Sequence, residues 1–223
     1  MQYPDRAVLA QDLAEQVAEQ LNDAIEASGK ASLAVPGGTT PAAFLRALSV
    51  QDVQWQNVSV VLTDERFVPE DSERSNTRLL RETLLQGKAA EANLVPMVLA
   101  GKQPEEVLEA LSKGVQAVLP LDVVVLGMGE DMHTASLFPG ADRLADALAN
   151  DAPVLLPMRA EGAGEPRISI TAPVLRAAKA VHLLITGSAK LKALEHALME
   201  GPDIDAPVRI ILELPETEIH YAE

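Results

Sequence analysis

The sequence predicts an α/β fold, and three observations predict it. Its 223 residues are 48% hydrophobic, enough for one sizeable core, whereas two domains would be cramped. Val123 to Leu126 is an apolar run with no polar residue inside it, the pattern of a parallel strand covered on both faces. Apolar segments also end repeatedly in polar turns, at Gly37 to Thr40, Asp64 to Arg66, Gly127 to His133 and Thr186 to Lys190. If the strands run parallel, those turns share one edge of the sheet, outside the strands' carboxyl ends, where ligands bind in open α/β folds.

The elements follow in order. Leu9, Leu13, Val17, Leu21 and Ile25 recur every fourth residue among acids and glutamines, which predicts an amphipathic helix stopped by Gly29. Leu33 to Val35 reads as a short buried strand. Pro36, Gly37 and Gly38 turn the chain, Thr40 suits an N-cap and Pro41 the first helical position. Trp55 precedes a second strand, Val58 to Leu62, and Ser75 caps a helix from about Asn76 to Gln86. Gly101 to Pro120 has helical spacing at Val107, Leu108, Leu111, Val115 and Val118, and delivers the chain to the central strand. Ala141 to Asn150 reads as helical. Val154 to Leu156 and Arg167 to Ile170 read as strands flanking EGAGEP, a loop of mobile composition. Pro173 to Ala178 is a short helix. Val181 to Ile185 is another buried strand, with Ser188 as the cap of the helix after it, and Thr217 to Tyr221 reads as an edge strand. His182 and His196 read as packing or surface residues, and His220 has no chemical context. With no internal repeat, low-complexity tract or linker, residues 1–223 are expected to form a single domain.

Composition excludes several classes. There is no cysteine, so no disulfide framework, thiolate nucleophile or zinc–cysteine site is expected. There is no HExxH, and His133 has no second histidine at ligand spacing, so no metal is expected in the chemistry. A net charge of −15 without a basic stripe speaks against nucleic acid. Aromatics at 3% speak against a base-stacking platform. No apolar run approaches membrane-spanning length, and the N-terminus lacks a signal-peptide core. A cytoplasmic enzyme or binding protein is expected. In so acidic a chain, an anionic ligand would require the few cations to be gathered at its site.

The four turns carry such groups. Strand, glycine turn and helix N-terminus at Gly37, Gly38, Thr39 and Thr40 form an anion cradle, because free backbone amides and the helix dipole point at one spot. This is neither a P-loop nor a GxGxxG turn. Asp64, Glu65 and Arg66 directly follow a buried strand, which is costly unless they pair with each other or face a wet cleft. Lys190 stands in the first turn of a helix, where a cation opposes the dipole and a bound anion reverses the sign. His133 is the histidine in a polar turn at a buried strand's end, the place for a general base.

These residues stand in a familiar order. GGTTP, then TDERFVP with SN, then GMGEDMHTASLFPG, RIS and TGSAK, from about residue 30 to about residue 200, resemble the 6-phosphogluconolactonase family. The resemblance implies a mainly parallel, doubly wound sheet with helices on both faces, as in sugar-phosphate isomerases and glucosamine-6-phosphate deaminase. It implies cofactor-free hydrolysis of 6-phospho-D-glucono-1,5-lactone to 6-phospho-D-gluconate, the second step of the oxidative pentose phosphate pathway. By motif position His133 would be the general base. Gly37, Gly38, Thr39 and Thr40 with Arg167 and Lys190 would hold the phosphate, and Asp64 and Arg66 would border the lactone ring. The partner would be a small phosphorylated sugar lactone, bound by a monomer or homodimer, with no nucleic acid and no membrane. Met132 departs from the family's glycine before the histidine, and it is strained there if the position needs positive φ.

Two alternatives are carried. One is an isomerase or deaminase of the same fold. The deaminase's loop has a glutamate soon after its histidine, where Phe138 stands here, and a phenyl ring transfers no proton. The other is a non-catalytic sugar-phosphate sensor, which would not need His133 with both flanking acids.

Overall fold

The N-terminal periodicity folds as expected. Helix α1 (Arg6–Ser28) buries Leu9, Leu13, Val17, Leu21 and Ile25, and Asp5 caps its start by accepting from the Ala7 and Val8 amides. It stops at Gly29, whose φ of 77° suits a residue without Cβ. The structure, a computed structural model, describes residues 1–99 and 101–223. After α1 come β1 (Ala31–Val35), α2 (Ala42–Ser49), β2 (Val58–Leu62), β3 (Asp64–Arg66), α3 (Asn76–Thr83), β4 (Asn93–Leu94), α4 (Pro104–Gln116) and β5 (Val123–Gly127). Then follow α5 (Leu144–Leu148), β6 (Leu155–Met158), β7 (Arg167–Ile170), α6 (Ala172–Arg176), β8 (Ala180–Thr186), α7 (Ser188–Ala197), α8 (Arg209–Leu212) and β9 (Thr217–Ala222). Among the described residues, no helix is long and apolar enough to cross a membrane.

Six strands form one parallel sheet in the order β4-β2-β1-β5-β8-β9. Every residue of β1 is buried. Successive side chains point to opposite faces of a strand, so both faces of the sheet are covered there, as the apolar runs predict. The chain steps outward from β1 to β2 and β4, then returns to lay β5 on the other side of β1. The crevice between the carboxyl ends of β1 and β5 is therefore the topological switch point, where ligands bind.

The second feature was not expected. β3, β7 and β6 form a separate antiparallel sheet of three strands, so Asp64–Arg66 is not a polar turn but a strand of its own. The chain changes sheets at buried Thr63. Its amide donates to the Val35 carbonyl at 2.9 Å, and its own carbonyl accepts from the Ile170 amide at 2.9 Å.

Local expectations also shift. Thr40 does not cap α2; Pro41 holds the N-cap position without a side-chain bond. Gly187, with φ 85°, precedes α7, and Ser188 is its first residue. The EGAGEP loop is tied down, through an Arg74–Glu165 ion pair and an Arg167 Nη2 bond to the Ala163 carbonyl at 3.2 Å. His220, read as having no chemical context, is fully buried, with its Nε2 3.0 Å from His182 Nδ1.

Candidate active site

The loop after β5 is built around a histidine–carboxylate pair. His133 Nδ1 lies 2.5 Å from Asp131 Oδ1, which also accepts from the His133 amide at 3.3 Å. This bond, more than any other cause, holds the Asp131 carboxyl below the usual aspartate range. With Nδ1–H donating to a carboxylate, Nε2 carries the lone pair, which is the arrangement a general base needs. A Cβ at Gly129 would overlap both Asp131 Oδ1 and His133 Nδ1, so glycine there makes room for the pair. Met132 has a φ of 65° and Ala135 a φ of 49°. The position before the histidine does need positive φ, and methionine occupies it under strain, as catalytic loops often do.

Ser136 fastens this loop to the second sheet. Its hydroxyl donates to Asp64 Oδ2 at 2.5 Å, and its amide donates to Ser169 Oγ at 3.1 Å. Asp64 also faces Arg167 Nη1 at 3.6 Å, and Arg167 lies directly across from Arg66 in the β3–β7 ladder. Burial pushes the Arg167 guanidinium down, with the Arg66 charge adding to that effect. The Nε atoms of Arg66 and Arg167 are buried without a protein partner. Buried donors are nearly always satisfied, so two such groups on facing strands are an unusual concentration of unmet donors. Phe138 joins the two halves. Its ring centroid is 4.1 Å from the His133 ring, and Arg167 Cζ stands 5.0 Å over it.

Glu65 has a different role from its neighbours. It is buried and accepts from the Arg66, Asn76 and Thr77 amides and the Ser75 hydroxyl. It therefore anchors the N-terminus of α3, where a carboxylate suits the dipole. Asn76 donates to the Asp64 carbonyl at 2.9 Å, and its side chain occupies the space a Cβ on Gly37 would need. The glycine turn is thus pressed against the arginine sheet through Asn76.

At the switch point, Gly37, Gly38, Thr39, Thr40, Gly127, Leu184 and Lys190 line a cleft of about 220 Å³. Gly38 turns with φ 93°. Burial pushes the Lys190 ammonium down, against an opposing pull from Glu130. Thr39 and Thr40 also line an adjoining cleft with Arg6 and Thr186. The structure therefore gathers Lys190 with the glycine turn, and Arg66 and Arg167 with Asp64 beside His133. Sequence reasoning named Glu65, Asn76 and Ser136 without giving them these partners, and it did not name Arg6.

Comparisons with known proteins bear on the family and the fold. Residues 4–220 match the family described as "Glucosamine-6-phosphate isomerases/6-phosphogluconolactonase". A curated 6-phosphogluconolactonase of Rhizobium meliloti (strain 1021) is 46% identical over 213 residues, covering 94% of this chain and 91% of its own. One of Pseudomonas aeruginosa is 41% identical over 214 residues, covering 95% and 90%. Among solved structures, a 6-phosphogluconolactonase from Shewanella baltica OS155 superposes with a TM-score of 0.96 at 32% identity, over 100% of this chain and 96% of that one. A monomeric glucosamine-6-phosphate deaminase shares the fold alone, with a TM-score of 0.81 at 16% identity over 99% and 95%.

Proposed function

The chain belongs to the glucosamine-6-phosphate isomerase/6-phosphogluconolactonase family, and on that premise we propose that it hydrolyses 6-phospho-D-glucono-1,5-lactone to 6-phospho-D-gluconate, the second step of the oxidative pentose phosphate pathway, with His133 as general base. The observation that carries the mechanism is the Asp131–His133 pair standing beside two arginines with unpartnered donors. A lactone carbonyl is already electrophilic, so a positioned water and a base suffice. His133 Nε2 takes a proton from water as its oxygen bonds to C1. Negative charge develops on the carbonyl oxygen, where Arg66 donates. The C1–ring oxygen bond then breaks, the imidazolium returns its proton to that oxygen, and the new carboxyl group ionises into solvent.

Lys190 and the turn Gly37 to Thr40 hold the phosphate, with Arg167 as the second cation, from the arginine sheet. Such contacts, remote from C1, orient the ring for attack. Asp64 is a positioning residue: it holds Ser136, hence the histidine loop, and faces Arg167. The reading takes the enzyme to act in the cytoplasm as a monomer or homodimer, on a small molecule and without a cofactor.

Within this fold Phe138 favours hydrolysis over deamination. Its ring packs on the imidazole, so the position offers no carboxylate to move a proton in ring opening. The test is His133→Gln, assayed on fresh lactone with spontaneous hydrolysis subtracted, beside a glucosamine-6-phosphate deamination assay. Loss of acid–base catalysis costs roughly 10²–10⁴-fold, and kcat should fall on that scale while KM holds. A folded variant with near-parent kcat rejects the base, and deaminase turnover by the parent rejects the reaction.

A further inference from the structure

Away from the cleft, the seam between β8 and β9 holds a buried polar cluster to which the reaction above gives no role. His182 pairs with Glu218 in the ladder, and His220 lies two residues further along β9, so all three side chains project from one face. One ligand atom from each lies within 4.8 Å of the others, and both imidazoles are buried. None of the three lines the cleft.

The outer nitrogens of both rings are held. His182 Nε2 lies 2.8 Å from Gln20 Oε1, and a carbonyl oxygen accepts, so Nε2 carries the hydrogen. Tyr3 Oη donates to Asp12 Oδ2 at 2.7 Å and stands 2.9 Å from His220 Nδ1. The single phenolic hydrogen is committed to the carboxylate, so Nδ1–H donates to Tyr3. The inner nitrogens, His182 Nδ1 and His220 Nε2, then both carry lone pairs, 3.0 Å apart. Two facing lone pairs repel unless a cation or proton sits between them. Outer N–H groups held by oxygen acceptors are what orients histidines in metal sites.

We propose that His182, His220 and Glu218 form a cation site at the β8–β9 seam that takes a divalent ion of the nickel or copper class. Metal–imidazole bonds of about 2.1 Å at a right angle separate the two nitrogens by about 3.0 Å, whereas tetrahedral zinc needs about 3.4 Å. The rings meet at 49° with centroids 5.1 Å apart, and Glu218 stands beside the two nitrogens as the third ligand. That carboxylate is exposed and gives the ion its entry. Glu218 and Asp12 supply the negative charge. The site is structural: it clamps Tyr3, α1 and the edge strand together.

The experiment is titration of tag-free protein with nickel chloride, followed by calorimetry and thermal melting, with copper(II) electron paramagnetic resonance as a ligand count. Expected are saturable one-to-one binding, a raised melting temperature and a two-nitrogen copper signal. Glu218→Gln, at an exposed position that leaves folding intact, should weaken binding by about tenfold or more, the cost typical of a lost metal-site group, and His220→Gln should abolish it. No saturable binding below about 1 mM, or binding that Glu218→Gln weakens less than this, overturns the site and leaves a proton-shared histidine pair. Lactonase activity is not the readout, so failure here would leave the proposed reaction standing.

Discussion

Asp131→Asn separates charge from geometry in the proposed catalytic pair. Asparagine keeps an oxygen that can accept from His133 Nδ1–H, so the tautomer with a free Nε2 survives, and only the negative charge is lost. A hydrogen bond to a charged group contributes about 1.5–3 kcal/mol, against about 0.5–1.5 for a neutral one. A full Coulomb term at 4 Å would add up to about 4 kcal/mol at an effective dielectric of about 20. The Asp131 side chain is 52% exposed and that of His133 27%, so solvent screening keeps the result near the low end. The imidazolium in the transition state should therefore lose about 1–2 kcal/mol, which is roughly a five- to thirty-fold fall in kcat. KM should hold, because other loops carry the phosphate, and the melting temperature should hold, because the Asp131 side chain is exposed. Initial rates at neutral pH, with spontaneous hydrolysis subtracted, measure the change. An unchanged kcat would mean that the carboxylate is idle. A loss as large as that of His133→Gln would mean that it serves only to fix the ring.

Other outcomes follow from the same geometry. Lys190→Ala should raise KM for the phosphorylated lactone by about 1.5–3 kcal/mol, roughly 10- to 150-fold, and leave unphosphorylated gluconolactone unaffected; equal losses on both would remove Lys190 from the phosphate. Burial lowers the Lys190 pKa, and only the ammonium form attracts phosphate. Affinity for 6-phosphogluconate, measured by calorimetry, should thus fall as pH rises, starting below the ordinary lysine range, and Lys190→Arg should flatten that fall. At Met132, with φ 65°, the glycine variant should be more stable than the alanine variant by about 1–2 kcal/mol, since only alanine keeps the Cβ clash; equal melting curves would mean that the loop relaxes freely. Exhaustive chelation should leave kcat unchanged, and a loss restored by one divalent ion in the His220→Gln variant as well as in the parent would refute metal-free hydrolysis.

What was legible in the sequence were the features carried by near neighbours. The spacing of Leu9 to Ile25 reports one helix face, and the unbroken run Val123 to Leu126 reports a doubly covered strand. His133 and Lys190 were legible because each follows a buried strand directly. Glu65 was not, because its partners, the amides of Asn76 and Thr77, are set by where α3 begins. Ser136 was not, because its partner Asp64 lies 72 residues away. The second sheet was hidden for the same reason: β3 finds its ladder only with β7, about a hundred residues on, and a strand's sequence does not name its partner. His182 and His220 looked idle because two strands and a helix must assemble before their rings meet.

Thr63 has one more consequence. One backbone bond line runs from the parallel sheet, through this buried residue, into the arginine sheet, with an amide committed to one side and a carbonyl to the other. The anion grip of the parallel sheet and the arginines of the second sheet would thus be joined through one buried residue whose backbone is bonded to both. Such a frame works as a caliper: it measures the span from phosphate to carbonyl. A phosphorylated lactone one carbon shorter could satisfy the grip of Lys190 and the glycine turn or reach Arg66, but not both, and a misplacement of about 1 Å can cost about 10²-fold in rate. Selectivity for chain length would then reside in a threonine that touches no part of the substrate.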